Sequence, residues 1–481
     1  MPLTLLAPVD KNERIFLSMY AAVLYCAESF FSNSINQTIM KKTSLKMNWH
    51  SIATFFLLSI VILSGCKKTD IPRNNGPQAS FYSSDVLDKW MTMQLRLMTN
   101  ATGIPNQAFS RHYAYAGIAA VESIAPGVHA HNAWSKKWNG LTGLPEADHK
   151  KNYYYPANIN SAMASINRSF FPNASSADKQ AIDSLENALT QEFLATKPAS
   201  LVQTSAQFGK DVAAAVFNWS ETDGSKLAGS PYTPPTGPGL WVPTPPAFGN
   251  AASPYWGNNR PVIRGSIDNT ELPAPIAYSP EVGSPFYQMV KEVYDASQNL
   301  TDAQKAMAIF WRDVPGVTSP GHWLSIVQQA ARQANASLEK AAAAYAITGS
   351  AINDALITCW KAKYKYNLVR PITFIRNVLG HTTWNSHLTT PGHPEYSSAH
   401  AVLSIAAGEV MQRLFGNVGS FTDHTYDYLG FAPRTYSSFV AIGEEAGDSR
   451  FYAGIHYKES IEAGFIQGKK VAANIFSGGQ E

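Results

Sequence analysis

Three segments in the C-terminal half of the chain gather the residue types that handle an oxyanion. KYKYNLVRP (363–371) sets Lys363 and Arg370 on either side of six residues and follows them with Pro371. HPEYSSAH (393–400) ends in Ser398, Ala399 and His400 and runs straight into the apolar-striped AVLSIAAGEV. GDSRFYAGIH (447–456) puts Arg450 and His456 in a glycine- and alanine-rich run that offers little to an ordinary packed helix. Fixed cations, the guanidinium fork above all, match the oxygens of a tetrahedral anion. A helix that starts at Ser398 presents free N–H groups and partial positive charge to the same anion. Of two histidines, one can bond the central atom while the other moves a proton. Taken singly, each segment has an ordinary explanation: cations at a helix C-terminus, a serine N-cap, a satisfied interior histidine. Together they describe a pocket for phosphate or vanadate.

These groups need helices to hold them. Pro371 disfavours helical backbone at the residue before it, so the helix carrying Lys363 is expected to end near Arg370. Apolar residues recur at three and four from 81 to about 225, and again from about 285 to the C-terminus. The second region includes a long helical pattern over 322–364. SSADKQAIDSLENALTQEFLA opens on a plausible Ser/Asp cap. Strand-like alternation is nearly absent. The expected fold class is all-α: helical bundles, with the oxyanion site in the C-terminal bundle and long Pro/Gly-rich loops. Residues 226–284 are dense in Pro, Gly and Trp, and a loop of that length is usually functional or wraps a surface.

Bulk properties fit this. The 481 residues are 45% hydrophobic and 15% charged, with a formal net charge of +3, which marks a globular chain. There is no long basic run, so a nucleic-acid partner is not expected. At the N-terminus, Lys41, Lys42 and Lys46 precede the apolar 50–63, which is too short to cross a membrane comfortably. Leu63-Ser64-Gly65-Cys66 follows and resembles a bacterial lipobox. The chain therefore divides into a leader with lipoprotein signal (1–65), a tether (66–80), an N-terminal helical part (81–225), the loop (226–284) and a C-terminal catalytic part (285–481). Residues 81–481 are expected to form one compact unit. Lipidation falls on Cys66, and the protein is expected to be exported and anchored to a bacterial membrane. Cys359 stands alone in an apolar stretch and reads as a buried packing residue.

K-x6-R-P, a Ser-small-His turn and S-R-x3-G-x-H, in that order, resemble the signature shared by type 2 phosphatidic acid phosphatases and vanadium-dependent haloperoxidases. FWRDVPGVTSPGHW (310–323) and PPTGPGLWVPTPP (234–246) resemble segments of the bacterial haloperoxidase branch. The resemblance implies a vanadate enzyme that oxidises halide (bromide or iodide, with chloride also in view) using hydrogen peroxide and passes the halogen to small organic acceptors. It implies that His456 is the axial vanadium ligand and that Lys363, Arg370 and Arg450 bind the oxyanion, with Ser398 and the backbone of Ala399. Ala399 replaces the family's usual glycine. His400 would be the acid–base group, with Asp313 orienting it. Trp360 and His393 would line the halide side; the first resembles chloroperoxidases and the second bromoperoxidases. Many members carry Asp four residues after the metal-binding histidine, where this chain has Ser460, which leaves His456 without an evident carboxylate. The resemblance also brings homo-oligomers into view. Two other readings stand beside it: a phosphate-monoester phosphatase that forms a phosphohistidine in the same pocket, and a non-catalytic oxyanion-binding surface lipoprotein.

Overall fold

The computed structural model describes residues 77–477, apart from 129–131, 149 and 315. The leader, Cys66 and most of the tether lie outside the described residues. By its contacts the chain divides into Met1–Ile71 and Pro72–Glu481, and the second unit is the one described below.

In the N-terminal part the helical spacing produces α1 (Asp85–Asn100), α2 (Ala108–Ser123), α3 (Tyr155–Phe170), α4 (Ser176–Leu194) and α5 (Ala199–Ser220). Ser175 caps α4 as its sequence suggests, accepting the Asp178 N–H at 3.1 Å. The C-terminal part holds α6 (Pro285–Gln298), α7 (Asp302–Phe310), α8 (Thr318–Gln333) and α9 (Leu338–Tyr366). After these come α10 (Pro371–Asn377), α11 (Ala399–Phe415), α12 (Phe439–Tyr452) and α13 (Lys458–Ser477). The long pattern over 322–364 is two helices rather than one. Asn335 takes a positive φ, and Ser337 then caps α9 by accepting the Lys340 N–H.

α9 is the spine. It is buried on nearly every face, the pattern of a helix central to a large core. One side meets α2 and the other meets α11. The approach to α2 is close: a Cβ on Gly117 would lie 2.6 Å from the Ala346 Cα, so only glycine fits there. α11 is in turn held by α12, where a Cβ on Gly443 would come within 2.7 Å of the Ser404 carbonyl oxygen. These approaches fix the helix that carries His400 at backbone rather than side-chain distance.

Three features differ from the sequence reading. A two-stranded antiparallel hairpin joins β1 (Phe421–Asp423) to β2 (Arg434–Tyr436), each too short to show alternation. Residues 447–452 are helical, the last turns of α12, because their small residues pack against α11 and α13. α9 ends at Tyr366, with Asn367 left-handed, so Arg370 is not in its last turn. Arg370 is instead the N-cap of α10, with Pro371 at the first helical position, where a missing N–H costs nothing.

The Pro/Gly-rich loop wraps this core without regular structure beyond the 3-10 turns Ser225–Leu227 and Trp256–Asn258. Asp354, buried in the middle of α9, accepts the N–H groups of Val262 (2.8 Å) and Ile263 (3.1 Å) and the Ser266 hydroxyl (2.6 Å). Further along, Trp241 donates its N–H to the Asn367 carbonyl (2.7 Å) and Val369 donates to the Gly239 carbonyl (2.9 Å), so the loop steadies the connector that ends in Arg370. Asp354→Ala leaves two buried N–H groups unsatisfied, while the Ser266 hydroxyl can still turn to the Ile263 carbonyl at 2.9 Å. It is expected to cost roughly 3–5 kcal/mol in a urea melt, and Asp354→Asn, which keeps one acceptor, clearly less.

Candidate active site

Three buried cations converge here from three different elements. Lys363 comes from the last turn of α9, Arg370 from the start of α10 and Arg450 from the last turn of α12, and none is more than 2% exposed. Burial pulls the Lys363 ammonium down to about 8, with Arg370 beside it, and pulls each guanidinium down to about 10. His393, Ala399, His400, Arg450 and His456 line one cavity of about 570 Å³, together with Trp360 and Asp313. Lys363, Arg370 and Ser398 stand behind that lining.

Each cation is committed differently. The Lys363 amine donates to the carbonyls of Pro394 (3.0 Å), Glu395 (3.0 Å) and Ser397 (2.6 Å), so its three N–H groups hold the turn before α11 while its charge stays at the site. Arg370 donates Nε–H to the His393 carbonyl (2.8 Å) and Nη1–H to the Ile455 carbonyl (2.8 Å). It also contacts His456 Nε2 at 3.2 Å and His393 Nδ1 at 2.9 Å. Among the described residues, Arg450 is tied through Nε–H to Ser449 Oγ (2.9 Å) and through one Nη2–H to the Ala308 carbonyl (3.0 Å). Its other N–H groups are left for the cavity it lines.

Ser398 is the N-cap residue of α11, yet its side chain caps nothing; its Oγ is buried without a partner. A buried hydroxyl is almost always satisfied. Beside a cation-rich cavity at a helix N-terminus, its hydroxyl is a donor with no acceptor among the described residues. His400 lies in the first turn of α11, as its position in the sequence suggests. Burial pushes its imidazole down to about 4, with the Arg450 guanidinium beside it, so it is neutral at neutral pH. Asp313 does not bond to it. The carboxylate Oδ1 is 3.8 Å from His400 Nε2, and the Ser319 hydroxyl sits between them, 2.8 Å from Asp313 Oδ1 and 2.7 Å from His400 Nε2.

His456 has a carboxylate after all. Its Nδ1 lies 2.7 Å from Glu395 Oε1, which also accepts the Tyr457 N–H at 3.0 Å, while Ser460 donates its hydroxyl to Oε2. Burial raises Glu395 to about 7, against the pull of Arg370 and of these donors. A carboxylate facing Nδ1 takes that nitrogen's proton in a hydrogen bond and leaves Nε2 with its lone pair. Burial, with Arg370 and Lys363 close by, keeps this ring well below the usual histidine range. The sequence contains the signal, an acidic residue three before Ser398, but its partner is 61 residues away. The carboxylate looked for at position 460 enters from position 395, and Ser460 binds it.

On the far wall the His393 ring is tilted against Trp360, with centroids 5.1 Å apart, and Trp360 Nε1–H donates to the loop carbonyl of Ala252 at 3.3 Å. His393 Nδ1 lies 2.9 Å from Arg370 Nη2 and 3.2 Å from the Pro394 carbonyl; the closer neighbour can only donate, which favours the proton of this neutral ring on Nε2. Cys359 is buried and free, one turn before Lys363.

The donor set fits vanadate. Around the cavity, buried positive charge exceeds the fully buried carboxylate of Glu395; among the described residues a serine hydroxyl and several Arg450 N–H groups lack partners, and His456 Nε2 carries no proton. A family model described as "VCPO second helical-bundle domain" matches residues 343–481. A search of curated proteins gives no match. Among solved structures, the chain is similar to a bacterial vanadium-dependent iodoperoxidase at 32% identity and TM-score 0.72, over 82% of this chain and 96% of that one. The fold is also shared with apo-type and holo-type bacterial vanadium-dependent chloroperoxidases. The first is 16% identical over 77% of this chain and 94% of that one, with TM-score 0.55; the second is 17% identical over 86% and 97%, with TM-score 0.54. With fold and sequence alike over most of both lengths, this chain belongs to the vanadium-dependent haloperoxidases.

Proposed function

We propose that this enzyme oxidises iodide and bromide with hydrogen peroxide, using bound vanadate, and that the oxidised halogen passes to small organic acceptors. One observation carries the reading: buried cations and unpartnered donors surround a cavity lined by His456, whose Nε2 carries no proton and lies against Arg370. The likeness to an iodoperoxidase supports iodide. Export with a lipid anchor at Cys66 is part of the same proposal and rests on the basic, apolar and Leu-Ser-Gly-Cys succession of the leader.

When bound, vanadate supplies a Lewis-acid centre that activates hydrogen peroxide without itself changing oxidation state. The protein's part is electrostatic and geometric. Lys363, Arg370 and Arg450 set the positive field, and Arg450 and Ser398 add directed donors. His456 presents Nε2 because Glu395 holds the proton on Nδ1. His400 is neutral and placed to take and return a proton at the cavity wall. The His393 Nε2–H, beside the Trp360 ring, is a neutral donor suited to a halide.

The purified protein, loaded with orthovanadate and desalted, is expected to oxidise iodide and bromide. His456→Ala should lose stoichiometric vanadate retention. His400→Ala should keep the vanadate and lose roughly 10²–10⁴-fold in halide turnover, the usual worth of a positioned acid–base group. Phosphate-ester hydrolysis that vanadate inhibits, without halide turnover, would move the protein to the phosphatases. Retention of vanadate by His456→Ala would refute the ligand assignment.

The buried rings also set an acid limit. His112, His393, His400 and His456 are all held below their ordinary range by burial, so the unfolded chain binds more protons on them. Glu395, Asp354, Asp448 and Glu459 are shifted upward and oppose this, while Asp178, Asp423 and Glu445 are held low and act with the histidines. Net proton uptake therefore accompanies unfolding, and the vanadate-free protein should lose stability as pH falls from about 6.5 towards 4. Denaturant melts across that range check it, and added orthovanadate should reduce the loss by placing negative charge beside His400 and His456.

A further inference from the structure

We propose that Ser319 is a positioning residue: its hydroxyl relays Asp313 to His400 and fixes the ring so that Nε2 carries the proton and Nδ1 offers its lone pair to the cavity. This rests on the reading of His400 as the acid–base group.

The argument is one of donors and acceptors. Asp313 Oδ1 accepts both the Ser319 N–H at 2.9 Å and the Ser319 hydroxyl at 2.8 Å. A carboxylate can only accept, so the single hydroxyl proton of Ser319 is spent on Asp313. Toward His400 Nε2, 2.7 Å away, the same oxygen is then an acceptor, and Nε2 must carry the hydrogen. A second acceptor agrees: the Trp311 carbonyl, which has no proton to give, lies 3.1 Å from the same Nε2. In a neutral imidazole one protonated nitrogen leaves the other bare. Among the described residues Nδ1 has no hydrogen-bond partner, and His400 lines the cavity.

Local structure makes this arrangement stiff. Ser319 is 5% exposed and sits in the first turn of α8. Its backbone and side chain grip one carboxylate oxygen together, which removes the rotational freedom a lone serine would have. Arg450 from α12, His322 from α8 and Asp313 act on the His400 ring, and His393 and His456 feel it in turn. None of these but Asp313 is linked to Nε2. The direct Asp313 to His400 separation of 3.8 Å is too long for a hydrogen bond, so without the hydroxyl the carboxylate would act only as a distant charge.

The test uses the whole protein with ¹⁵N-labelled histidine. Without vanadate, long-range ¹H–¹⁵N spectra should show His400 as the Nε2–H tautomer. In Ser319→Ala that signature should shift toward mixed tautomers, and Ser319→Thr, which keeps the hydroxyl, should restore it. In the vanadate-loaded enzyme, Ser319→Ala should lower kcat by roughly 10–100-fold, the usual loss when a group orienting a working imidazole is removed, with vanadate retention unchanged. Asp313→Asn should then add little in the Ser319→Ala background, because the relay is already broken. The proposal is overturned if His400 in the wild type carries its proton on Nδ1, or if Ser319→Ala leaves tautomer and kcat unchanged. It is also overturned if Ser319→Ala and Ser319→Thr lower kcat alike with the tautomer intact, since that marks packing alone. If no halide turnover is found in the wild type, the haloperoxidase reading fails while the spectra still decide the tautomer.

Discussion

The structure depends on burying three cations around one point with too little negative charge to neutralise them. Burial of a charge is costly unless it is paired. Here Lys363, Arg370 and Arg450 are essentially inaccessible, while the only fully buried carboxylate among them is Glu395. Carbonyl groups make up part of the difference. Those of Pro394, Glu395 and Ser397 surround the ammonium, those of His393 and Ile455 take Arg370, and that of Ala308 takes Arg450. These dipoles solvate the cations without cancelling their charge. What remains is a field that an oxyanion completes. The helices serve this end: α9 supplies a spine rigid enough to bury a lysine at its last turn, and the glycine-close packing of α12 on α11 holds Arg450 and His400 to one frame.

His456 and His400 are mirror cases of one device. In each, one nitrogen meets an acceptor system and the opposite nitrogen carries no proton; at His456 that nitrogen faces Arg370 Nη1 at 3.2 Å. His456 turns Nδ1 to Glu395 and keeps Nε2; His400 turns Nε2 to Ser319 and the Trp311 carbonyl and keeps Nδ1. Orientation by a hydrogen-bonded neighbour, rather than the histidine alone, decides which nitrogen is available. The long loop shares in this. Through Asp354 it is pinned to α9, through Gly239 and Trp241 it steadies the approach to Arg370, and through Ala252 it holds the Trp360 ring.

Helix content and the three oxyanion segments were legible in the sequence because both are local properties. A 3.6-residue apolar period needs only one stretch of chain, and so does a Ser-Ala-His turn at a helix start. What was not legible is what depends on distant partners. Glu395 stands in plain view within HPEYSSAH, but its meaning comes from Ser460 and His456 on another element. Ser319 looks like a helix-start serine until the fold brings it beside His400. Lys363 was expected among the oxygens of the anion, and its three N–H groups are found on a turn more than thirty residues later. The helical state of 447–452 was hidden because its small residues, weak by propensity, are chosen for close packing against α11 and α13. The β1–β2 hairpin was missed because strands of three residues carry no usable period.

Ser460 shows why a missing motif residue is weak evidence for lost function. The requirement is physical: an acceptor must face His456 Nδ1 so that Nε2 keeps its lone pair. A carboxylate four residues after the histidine satisfies it from the same helix. Here the acceptor comes from position 395, and the residue at 460 donates its hydroxyl to it. Such a substitution of source preserves the chemistry while erasing the pattern. It also counts against a pocket that merely retains anions. Binding a trianion needs cations and donors, and would be indifferent to which nitrogen of a second imidazole is bare. A chain that holds both rings in opposite, defined orientations, each through a buried acceptor system of its own, matches the proposed pairing of a ligand bond at one and proton movement at the other.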